Sequence, residues 1–287
     1  MPLINRLLII GVGLIGGSLA RALKQVGACK EIVGSNRNVV QLQKAVELGV
    51  IDRYDTDVAK AAAAADMIVL AVPVGATEAV LRKLVGHVSA NTLITDVGST
   101  KQSVIEAARK AFGTIPAHFV PGHPIAGTEQ SGVEASFAEM FQRRRVVLTP
   151  LPETDKQALN KVREMWRQTG AEVVEMNARA HDEILAATSH LPHVLAYTLV
   201  DTLARMEQHD DIFRFAAAGF RDFTRIAASD PVMWRDICLA NRDAILEMIE
   251  QFGADLNHFG SVLRDRDSAA LLALLSRAKA ARDALNN

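Results

Sequence analysis

Three short segments of the chain carry residues that could do chemistry. They are TDVGSTK (95–101), PGHPIAGTEQSG (121–132) and SHLPH (189–193). The first two follow predicted strands, and doubly wound sheets bind their ligands at the carboxyl ends of their strands. The imidazole of His123 in the second segment could move a proton near neutral pH. Taken alone, a histidine between a glycine and a proline is more often a rigid loop residue than a base.

The third segment raises the question of a metal site. His190 and His193 are three residues apart, but no third ligand stands at a recognisable spacing from them. The two cysteines, Cys29 and Cys238, lie far apart in the chain and match no metal or redox spacing. We therefore expect no metal and two reduced thiols, as is usual in the cytoplasm.

A glycine-rich stretch near the start, RLLIIGVGLIGGSLARAL (6–23), has two interpretations. An apolar run behind one arginine could be a secretory signal, but glycines interrupt it directly after its aliphatic residues. The order of strand, GVGLIG and helix is typical of a dinucleotide-binding turn, in which the glycines allow the turn, the approach of a pyrophosphate and close packing of the helix. The residues predicted to contact the cofactor here are Gly11, Gly13, Leu14, Ile15 and Gly16.

The second predicted strand, EIVGS (31–35), ends where a dinucleotide's adenosine ribose is read. An Asp or Glu at this point favours NAD by binding the 2′-hydroxyl. The chain instead reads Ser35, Asn36, Arg37, so no carboxylate repels a 2′-phosphate and a guanidinium stands close enough to bind one. We predict NADP as the preferred cofactor and NAD as the alternative. In the competing interpretation Arg37 is only a solvated residue at the start of a helix.

Length and composition describe the scaffold that must position these residues. With 287 residues, 49% hydrophobic and 23% charged, the chain is long enough for two globular domains. Its 32 basic and 33 acidic side chains give a net charge of -1, which provides no field to attract nucleic acid or an anionic membrane. The most membrane-like stretch, AAAAADMIVLAVPVGA (61–76), is interrupted by Asp66 and Pro73 and is too short to span a bilayer. We expect neither nucleic acid nor a membrane as a partner.

The order of elements predicts an α/β protein with a Rossmann-type, doubly wound parallel sheet and a second, all-helical C-terminal domain. The candidate strands are RLLII, EIVGS, MIVLAV, TLITDV, HFVPG, RVVLTP and AEVVEM, and the clearest helices are TEAVLRKLVGHV, TKQSVIEAARKAF and PETDKQALNKVREMWRQTG. Ser99 or Thr100 is the expected cap of the second of these helices. Strand-like runs stop near Asn177, which divides the chain into domains 1–177 and 178–287. The apolar helices that follow predict a homodimer, with a monomeric bundle as the alternative.

Six motifs together resemble the prephenate and arogenate dehydrogenases of tyrosine biosynthesis. They are GVGLIGGSLA, AVPV, TDVGSTK, GHPIAGTE, SHLPH and FRDFTRIAASDPVMW, and they span nearly the whole chain. The resemblance implies that a cyclohexadienol, prephenate or arogenate, gives up a hydride to NAD(P) and loses carbon dioxide as its ring becomes aromatic. It implies a cytoplasmic enzyme that needs no metal, with Val72 and Pro73 of AVPV at the cofactor. The length of the chain leads us to expect a monofunctional form.

The resemblance also implies roles for single residues. His123 matches the family's catalytic histidine, and Ser99 matches the serine that orients this histidine and the substrate hydroxyl. Arg225 matches an arginine that binds a substrate carboxylate, and Asp222, three residues earlier on the same helical face, is expected to pair with it. Glu129 matches a residue that lines the pocket and gates access to it.

Two further ring side chains match family positions. His193 resembles a residue of the pocket wall that contacts the substrate side chain, while His190 is expected to be structural. Trp234 matches a residue that reaches the pocket of the neighbouring subunit, so that the dimer would complete the site.

Two competing functions remain on the sequence alone. One is another NADP oxidoreductase with a helical second half, such as a β-hydroxyacid dehydrogenase or an imine reductase. Such an enzyme would lack the pair GHPIAGTE and DFTRIA, and the β-hydroxyacid enzymes need a catalytic lysine where this chain has none between Lys161 and Lys279. The other is a dinucleotide sensor without catalysis, which should have lost His123, Ser99 or Arg225.

Overall fold

The structure is a computed structural model that describes residues 2–285. Residue 1, where the predicted domain 1–177 begins, and residues 286–287, where the predicted domain 178–287 ends, lie outside the described residues.

A six-stranded sheet forms the centre of the N-terminal half. Its strands are β1 (Ile4–Ile10), β2 (Cys29–Ser35), β3 (Arg53–Tyr54), β4 (Met67–Leu70), β5 (Leu93–Asp96) and β6 (Phe119–Val120). They pair in parallel in the order β3-β2-β1-β4-β5-β6, so β1 lies between β2 and β4. The strand order reverses beside β1, and open α/β sheets bind their ligands at this point.

Helices cover both faces of this sheet. They are α1 (Leu14–Gln25), α2 (Val39–Glu47), α3 (Val58–Ala63), α4 (Thr77–Leu84), α5 (Gln102–Phe112) and α6 (Lys156–Gln168). Leu7 and Ile9 of β1 pack in one core cluster and Leu8 and Ile10 in the other, because alternate side chains of a strand point to opposite faces. Burial on both faces is typical of parallel sheets and explains the unbroken aliphatic run of β1. These features confirm the predicted fold class.

Of the last three candidate strands, only the start of HFVPG, as β6, extends the parallel sheet. The run HFVPG divides into β6 and β7 (Gly122–Pro124), and β7 pairs antiparallel with β8 (Arg145–Leu148). A parallel partner, β9 (Glu172–Glu175), completes a separate three-stranded sheet. Pro121 lies at the division, and because proline has no N–H it cannot continue a ladder of strand hydrogen bonds. The strands were therefore predicted correctly but their common sheet was not.

The remainder of the described chain is helical. Its helices are α7 (Ala178–Leu185), α8 (Leu191–Ala204), α9 (His209–Arg214), α10 (Ala218–Thr224), α11 (Pro231–Ala240), α12 (Arg242–Arg264) and α13 (Ser268–Ala284). A π-helical turn, Ala186–His190, joins α7 to α8, and short 3-10 turns occur at Val74–Ala76, Ala138–Phe141 and Arg225–Ala228. No helix of residues 2–285 combines the length and apolarity that crossing a membrane requires.

Compact packing divides the chain at a different place from the change in secondary structure. One unit runs to Arg242 and a second begins at Asp243. The helices from α7 to α11 belong to the first unit, together with the sheet, and α7 packs on α5 while α11 packs on the turn Val74–Ala76. The change to helices falls at Ala178, as predicted, whereas the domain boundary at Asn177 stays a prediction.

Candidate active site

The glycine-rich turn between β1 and α1 leaves little room for side chains. Gly11 has a φ of +99°, and a Cβ there would lie 2.2 Å from the carbonyl oxygen of Ala71. A Cβ on Gly16 would lie 2.2 Å from the carbonyl oxygen of Gly11, whereas a Cβ on Gly13 would meet no atom within 4 Å. Gly11 and Gly16 are thus required by the chain itself, and Gly13 faces open space.

The start of α1 suits an anionic group. No side chain caps this helix and no acidic residue lies in its first turn. The first N–H groups of a helix lack partners within the helix and form its partially positive end, so they can bind a phosphate. The open approach at Gly13 and the free N–H groups of α1 therefore fit a dinucleotide.

A cavity of about 600 Å³ lies beside this turn, at the carboxyl ends of the strands. Segments that follow β1, β4 and β5 line it, together with β7, the loop after β7 and the start of α11. The predicted site residues that line it are Gly13, Leu14, Ile15, Val72, Pro73, Ser99, His123 and Glu129. The structure thus brings the predicted cofactor turn, Ser99, His123 and Glu129 to one cavity.

A buried ion pair holds two of these segments together. Lys101 is fully buried, and its Nζ donates to Asp96 Oδ2 at 2.5 Å and to the carbonyl oxygen of Gly122 at 2.6 Å. Asp96 also accepts hydrogen bonds from the backbone N–H groups of Gly98 and Gly122 at 2.7 and 3.0 Å. Burial lowers the pKa of Lys101, and the adjacent carboxylate of Asp96 opposes that shift. The pair fixes the loop that carries Ser99 against the strand that carries His123.

His123 is held by two residues that sequence reasoning missed. Its Nδ1 lies 2.9 Å from Nε2 of His181, and Nδ1 of His181 donates to Oδ1 of Asp182 at 2.8 Å. His181 and Asp182 are both buried on α7. Asp182 also accepts from the backbone N–H groups of Lys101 and Gln102 at 2.7 and 2.9 Å. A chain of hydrogen bonds therefore runs from the cavity to the start of α5.

The surroundings of His123 favour its neutral form. Burial is the main reason that the pKa of His123 lies well below its ordinary value, and the proximity of His181, Lys101 and His190 acts in the same direction. Desolvation always disfavours the charged form of a histidine. A neutral imidazole can accept a proton, so His123 is in the protonation state that a general base needs.

The expected cap of α5 by Ser99 or Thr100 is wrong. The helix begins at Gln102, and the carboxylate of Asp182 on α7 binds the first N–H groups in place of a local side chain. Thr100 Oγ1 is instead 2.6 Å from Ser103 Oγ. No hydrogen bond within residues 2–285 joins Ser99 to His123, so the role of Ser99 in orienting this histidine stays a prediction.

Arg225 does not pair with Asp222, which corrects the sequence prediction. Helix α10 ends at Thr224, so the two residues do not share one helical face. The guanidinium of Arg225 donates instead to Glu129 Oε2 at 2.8 Å. Both partners are substantially exposed, and Arg225 is not one of the cavity-lining residues. Asp222 is exposed and also lies outside the cavity wall.

Trp234 packs against its own chain, and its expected role in the pocket of a neighbouring subunit stays a prediction. Its indole is buried and stacks on His193 of the same chain, with ring centroids 3.7 Å apart. His190 approaches the same indole edge-on at 6.0 Å. Neither His193 nor Trp234 lines the cavity.

Both histidines of SHLPH are engaged by the chain. His193 Nδ1 donates to the carbonyl oxygen of Ser189 at 2.8 Å. Burial lowers the pKa of His193, the bond to Ser189 opposes this, and the nearby charge of Arg225 lowers it further. Nδ1 of His190 accepts from the amide of Asn241 at 3.0 Å. In residues 2–285 no three His, Cys, Asp or Glu side chains are grouped to hold a metal ion.

The residues expected to choose between NAD and NADP lie where β2 ends. Ser35 is the last residue of β2; its carbonyl oxygen accepts from Gly11 N–H at 2.8 Å, and its fully buried hydroxyl has no partner in the described structure. Asn36 Oδ1 accepts from the backbone N–H of Arg37 at 2.7 Å. The Arg37 side chain is exposed, and the described residues offer its guanidinium no hydrogen bond or ion pair. No acidic side chain stands between Ser35 and Arg37.

The sequence did contain a signal for His181 and Asp182. One turn later on α7, Leu185 and Ala186 are buried, and residues four apart share a helix face. The two polar residues therefore occupy the apolar face of α7, where ionisable side chains need partners.

This combination of a parallel sheet, a glycine-rich turn and a cavity with a neutral histidine defines a nicotinamide-dependent oxidoreductase of the Rossmann class. Comparisons with known proteins agree. Residues 19–175 match the family model for the prephenate dehydrogenase nucleotide-binding domain, and residues 177–277 match the model for the prephenate dehydrogenase dimerization domain. The chain belongs to the prephenate dehydrogenase family.

Individual relatives are similar over nearly the whole chain. It is 38% identical to a cyclohexadienyl dehydrogenase of Zymomonas mobilis, over 99% of this chain and 97% of that protein. It is 39% identical to a prephenate dehydrogenase of Bacillus subtilis, over 98% of this chain and 76% of that protein. A crystal structure of prephenate dehydrogenase from A. aeolicus with hydroxyphenyl propionate and NAD+ superposes with a TM-score of 0.92 at 38% identity, covering 98% of both chains. These matches confirm the predicted reaction class, oxidative decarboxylation with hydride transfer to a nicotinamide cofactor.

Proposed function

We propose that this enzyme oxidatively decarboxylates prephenate, arogenate or both, with His123 as the general base. The observation that carries the proposal is a buried histidine, its pKa lowered by burial, that lines a cavity next to the glycine-rich turn. The hydroxyl proton of the substrate passes to Nε2 of His123, the ring nitrogen that faces no described partner. When bound, a nicotinamide would accept the hydride from the carbon bearing that hydroxyl. The electron pair of the bond broken with the loss of carbon dioxide would complete the aromatic ring, and the resulting phenolate oxygen would take a proton back from His123 or from solvent.

Ser99 and Arg225 supply orientation in this proposal. Ser99 lines the cavity with His123, on a loop fixed by the Lys101–Asp96 pair, and its hydroxyl can bind the substrate hydroxyl. Arg225 binds a substrate carboxylate through its planar guanidinium. Because Arg225 pairs with Glu129 in the structure, the carboxylate of the substrate would compete with the carboxylate of Glu129 for the guanidinium. Glu129 therefore acts as an exchangeable partner at the cavity.

The relation of the other predicted contacts to the substrate is indirect. His193 lies near enough to Arg225 for the arginine's charge to lower its pKa, and Trp234 stacks on His193. In our proposal the stacked rings of His193 and Trp234 help to position Arg225. Asp222 is exposed and lies outside the cavity wall, so the proposal gives it no contact with the substrate.

We further propose NADP as the preferred cofactor, with NAD as the alternative. Support comes from the exposed guanidinium of Arg37 and from the absence of an acidic side chain at the end of β2. Gly11, Gly13, Leu14, Ile15 and Gly16 would hold the pyrophosphate, with Val72 and Pro73 on the cavity wall. The A. aeolicus relative was solved with NAD+, so cofactor choice must be measured for this chain.

We infer that the enzyme works as a homodimer in the cytoplasm. Several large apolar side chains of the second unit are exposed in the single chain: Leu246, Ile249, Phe252, Leu256, Leu263, Leu272 and Leu275. Apolar surface of this kind usually marks an interface between proteins. Both cysteines are free thiols, and burial raises the pKa of Cys29 to about 12, so it is an unreactive thiol that suits a reducing compartment.

Steady-state kinetics with prephenate or arogenate, each combined with NAD or NADP, test the proposed function. We expect turnover with at least one substrate and a higher kcat/KM with NADP than with NAD. Turnover with NAD alone would refute the cofactor proposal and leave the reaction intact. No turnover in any of the four combinations would refute the proposed function.

A further inference from the structure

We infer that His181 and Asp182 are positioning residues that hold His123 as the tautomer with a proton on Nδ1, and that Asp182 is the counter-charge for the imidazolium formed during turnover. This inference rests on the proposed function only for its last step. The tautomer itself can be measured without substrate.

The donors and acceptors in the series of hydrogen bonds from His123 to His181 and Asp182 can be assigned by starting at Asp182. Asp182 carries a carboxylate, because bonds from His181 and from the N–H groups of Lys101 and Gln102 lower its pKa against the opposing effect of burial. A carboxylate only accepts, so Nδ1 of His181 bears a proton. In a neutral His181 the other nitrogen, Nε2, is then an acceptor. Nδ1 of His123 must donate to it, and Nε2 of His123 is left without a proton.

Asp182 is well fixed for this task. Its two oxygens take bonds from α5 backbone N–H groups as well as from the histidine, so the side chain is held by two elements at once. The side-chain amide of Asn241 donates to the backbone carbonyl oxygen of Asp182 at 2.8 Å, which anchors the same turn of α7. The carboxylate therefore cannot rotate away from His181 without uncapping α5.

The charges around His123 make such a counter-charge necessary. Taking the substrate proton creates a buried imidazolium near His181, Lys101 and His190, and burial together with these neighbours disfavours the charged ring. Asp96 is the other buried carboxylate near this point, and it already pairs with Lys101. Asp182 is thus the anion connected to His123 by hydrogen bonds. The proton stays on His123 until it returns to the phenolate oxygen of the product or passes to solvent, and no covalent bond forms within the chain.

Two substitutions of His181 separate positioning from simple packing. His181→Leu fills most of the space but removes the acceptor, so we expect kcat to fall by roughly a hundredfold, within the range that a general base supplies, while KM is nearly unchanged. His181→Gln offers an acceptor to His123 and a donor to Asp182, so its kcat should be at least about tenfold higher than that of His181→Leu. Equal kcat values for the two variants would contradict positioning through hydrogen bonds.

Asp182→Asn tests the carboxylate at the end of this series of hydrogen bonds, with Asp155→Asn as its matched control. Asp155 caps α6 by accepting from Ala158 N–H at 2.8 Å and lies outside the cavity wall. Both changes remove a charge at a helix start, so both should lower thermal stability. Only Asp182→Asn should also lower kcat. A similar kcat for these two variants would show that Asp182 acts on stability alone.

Nitrogen NMR of the histidine rings decides the matter directly. The complete chain, labelled with ¹⁵N-histidine and free of substrate, is recorded at pH 7, and the His123 signals are assigned by their loss in His123→Asn. We expect a protonated Nδ1 and a bare Nε2 in the wild type, and a mixture of tautomers in His181→Leu. A wild-type signal with the proton on Nε2, or no change in His181→Leu, would overturn the inference. If the NMR signals show the expected tautomer but the enzyme turns over neither prephenate nor arogenate, only the proposed function is refuted.

Discussion

The guanidinium of Arg225 lies 2.8 Å from the carboxylate of Glu129, a residue far away in sequence that lines the cavity. The pair is exposed, and exposed ion pairs contribute only about 0 to 1 kcal/mol. A substrate carboxylate can therefore replace Glu129 at little cost. Glu129 and the substrate carboxylate are therefore competitors for the same guanidinium.

Substitutions of this pair should affect KM in opposite directions. Arg225→Ala should raise the KM for prephenate or arogenate by roughly tenfold to a hundredfold, because a hydrogen bond to a charged group contributes about 1.5 to 3 kcal/mol. Glu129→Gln should lower that KM by up to about fivefold, since it removes the competing carboxylate. Arg221→Ala, at a neighbouring exposed arginine, is the control in these steady-state measurements. A raised KM in Glu129→Gln would show that Glu129 helps to bind the substrate.

Cofactor choice should depend on Arg37. If its guanidinium binds the 2′-phosphate, Arg37→Ala should raise the KM for NADP by roughly tenfold to a hundredfold and leave the KM for NAD nearly unchanged. Arg53, an exposed arginine on β3 that pairs with Glu31, provides a control substitution in the same part of the sheet. Equal losses for NAD and NADP in Arg37→Ala would count against this role.

Stability should decrease in mild acid partly because of His190. Burial lowers the pKa of His190 from 6.5 to about 4, so the unfolded chain takes up a proton first as the pH falls. The contribution of His190 to the free energy of unfolding is fully present above pH 6.5. It decreases by up to roughly 3 kcal/mol as the pH falls to 4. Denaturant titrations at pH 7 and pH 4.5 should show a smaller decrease in His190→Asn than in the wild type. The same decrease in both proteins would disprove this contribution.

The fold was predictable because its signals are local. The aliphatic run of β1 and the turn at Gly11 and Gly16 identify a Rossmann unit before any contact is known, since each depends on residues adjacent in sequence. The second sheet was not predictable in this way, because the pairing of β7 with β8 joins segments separated by a long loop.

The site was predictable where residues belong to motifs and less so where distant segments meet. His123, Ser99 and Glu129 lie at one cavity as expected. The partner of Arg225, the cap of α5 and the hydrogen bond to His123 all come from distant segments, and helix spacing favoured local partners for the first two. The stacking of Trp234 on His193 was not predictable, because it depends on how α11 packs against α8 and the spacing of residues along the chain does not show that packing.

The central claim is that His123 accepts the substrate proton, and the pH dependence of kcat/KM in wild type and His123→Asn tests it most directly. Because the pKa of His123 is lowered, the wild type should keep its activity through pH 6.5 and lose it only at lower pH, as His123 becomes protonated. His123→Asn should lower kcat by roughly a hundredfold to ten-thousandfold with little change in KM, and its profile should lack that acid limb. A variant with near-normal kcat and the same acid limb as the wild type would contradict the claim.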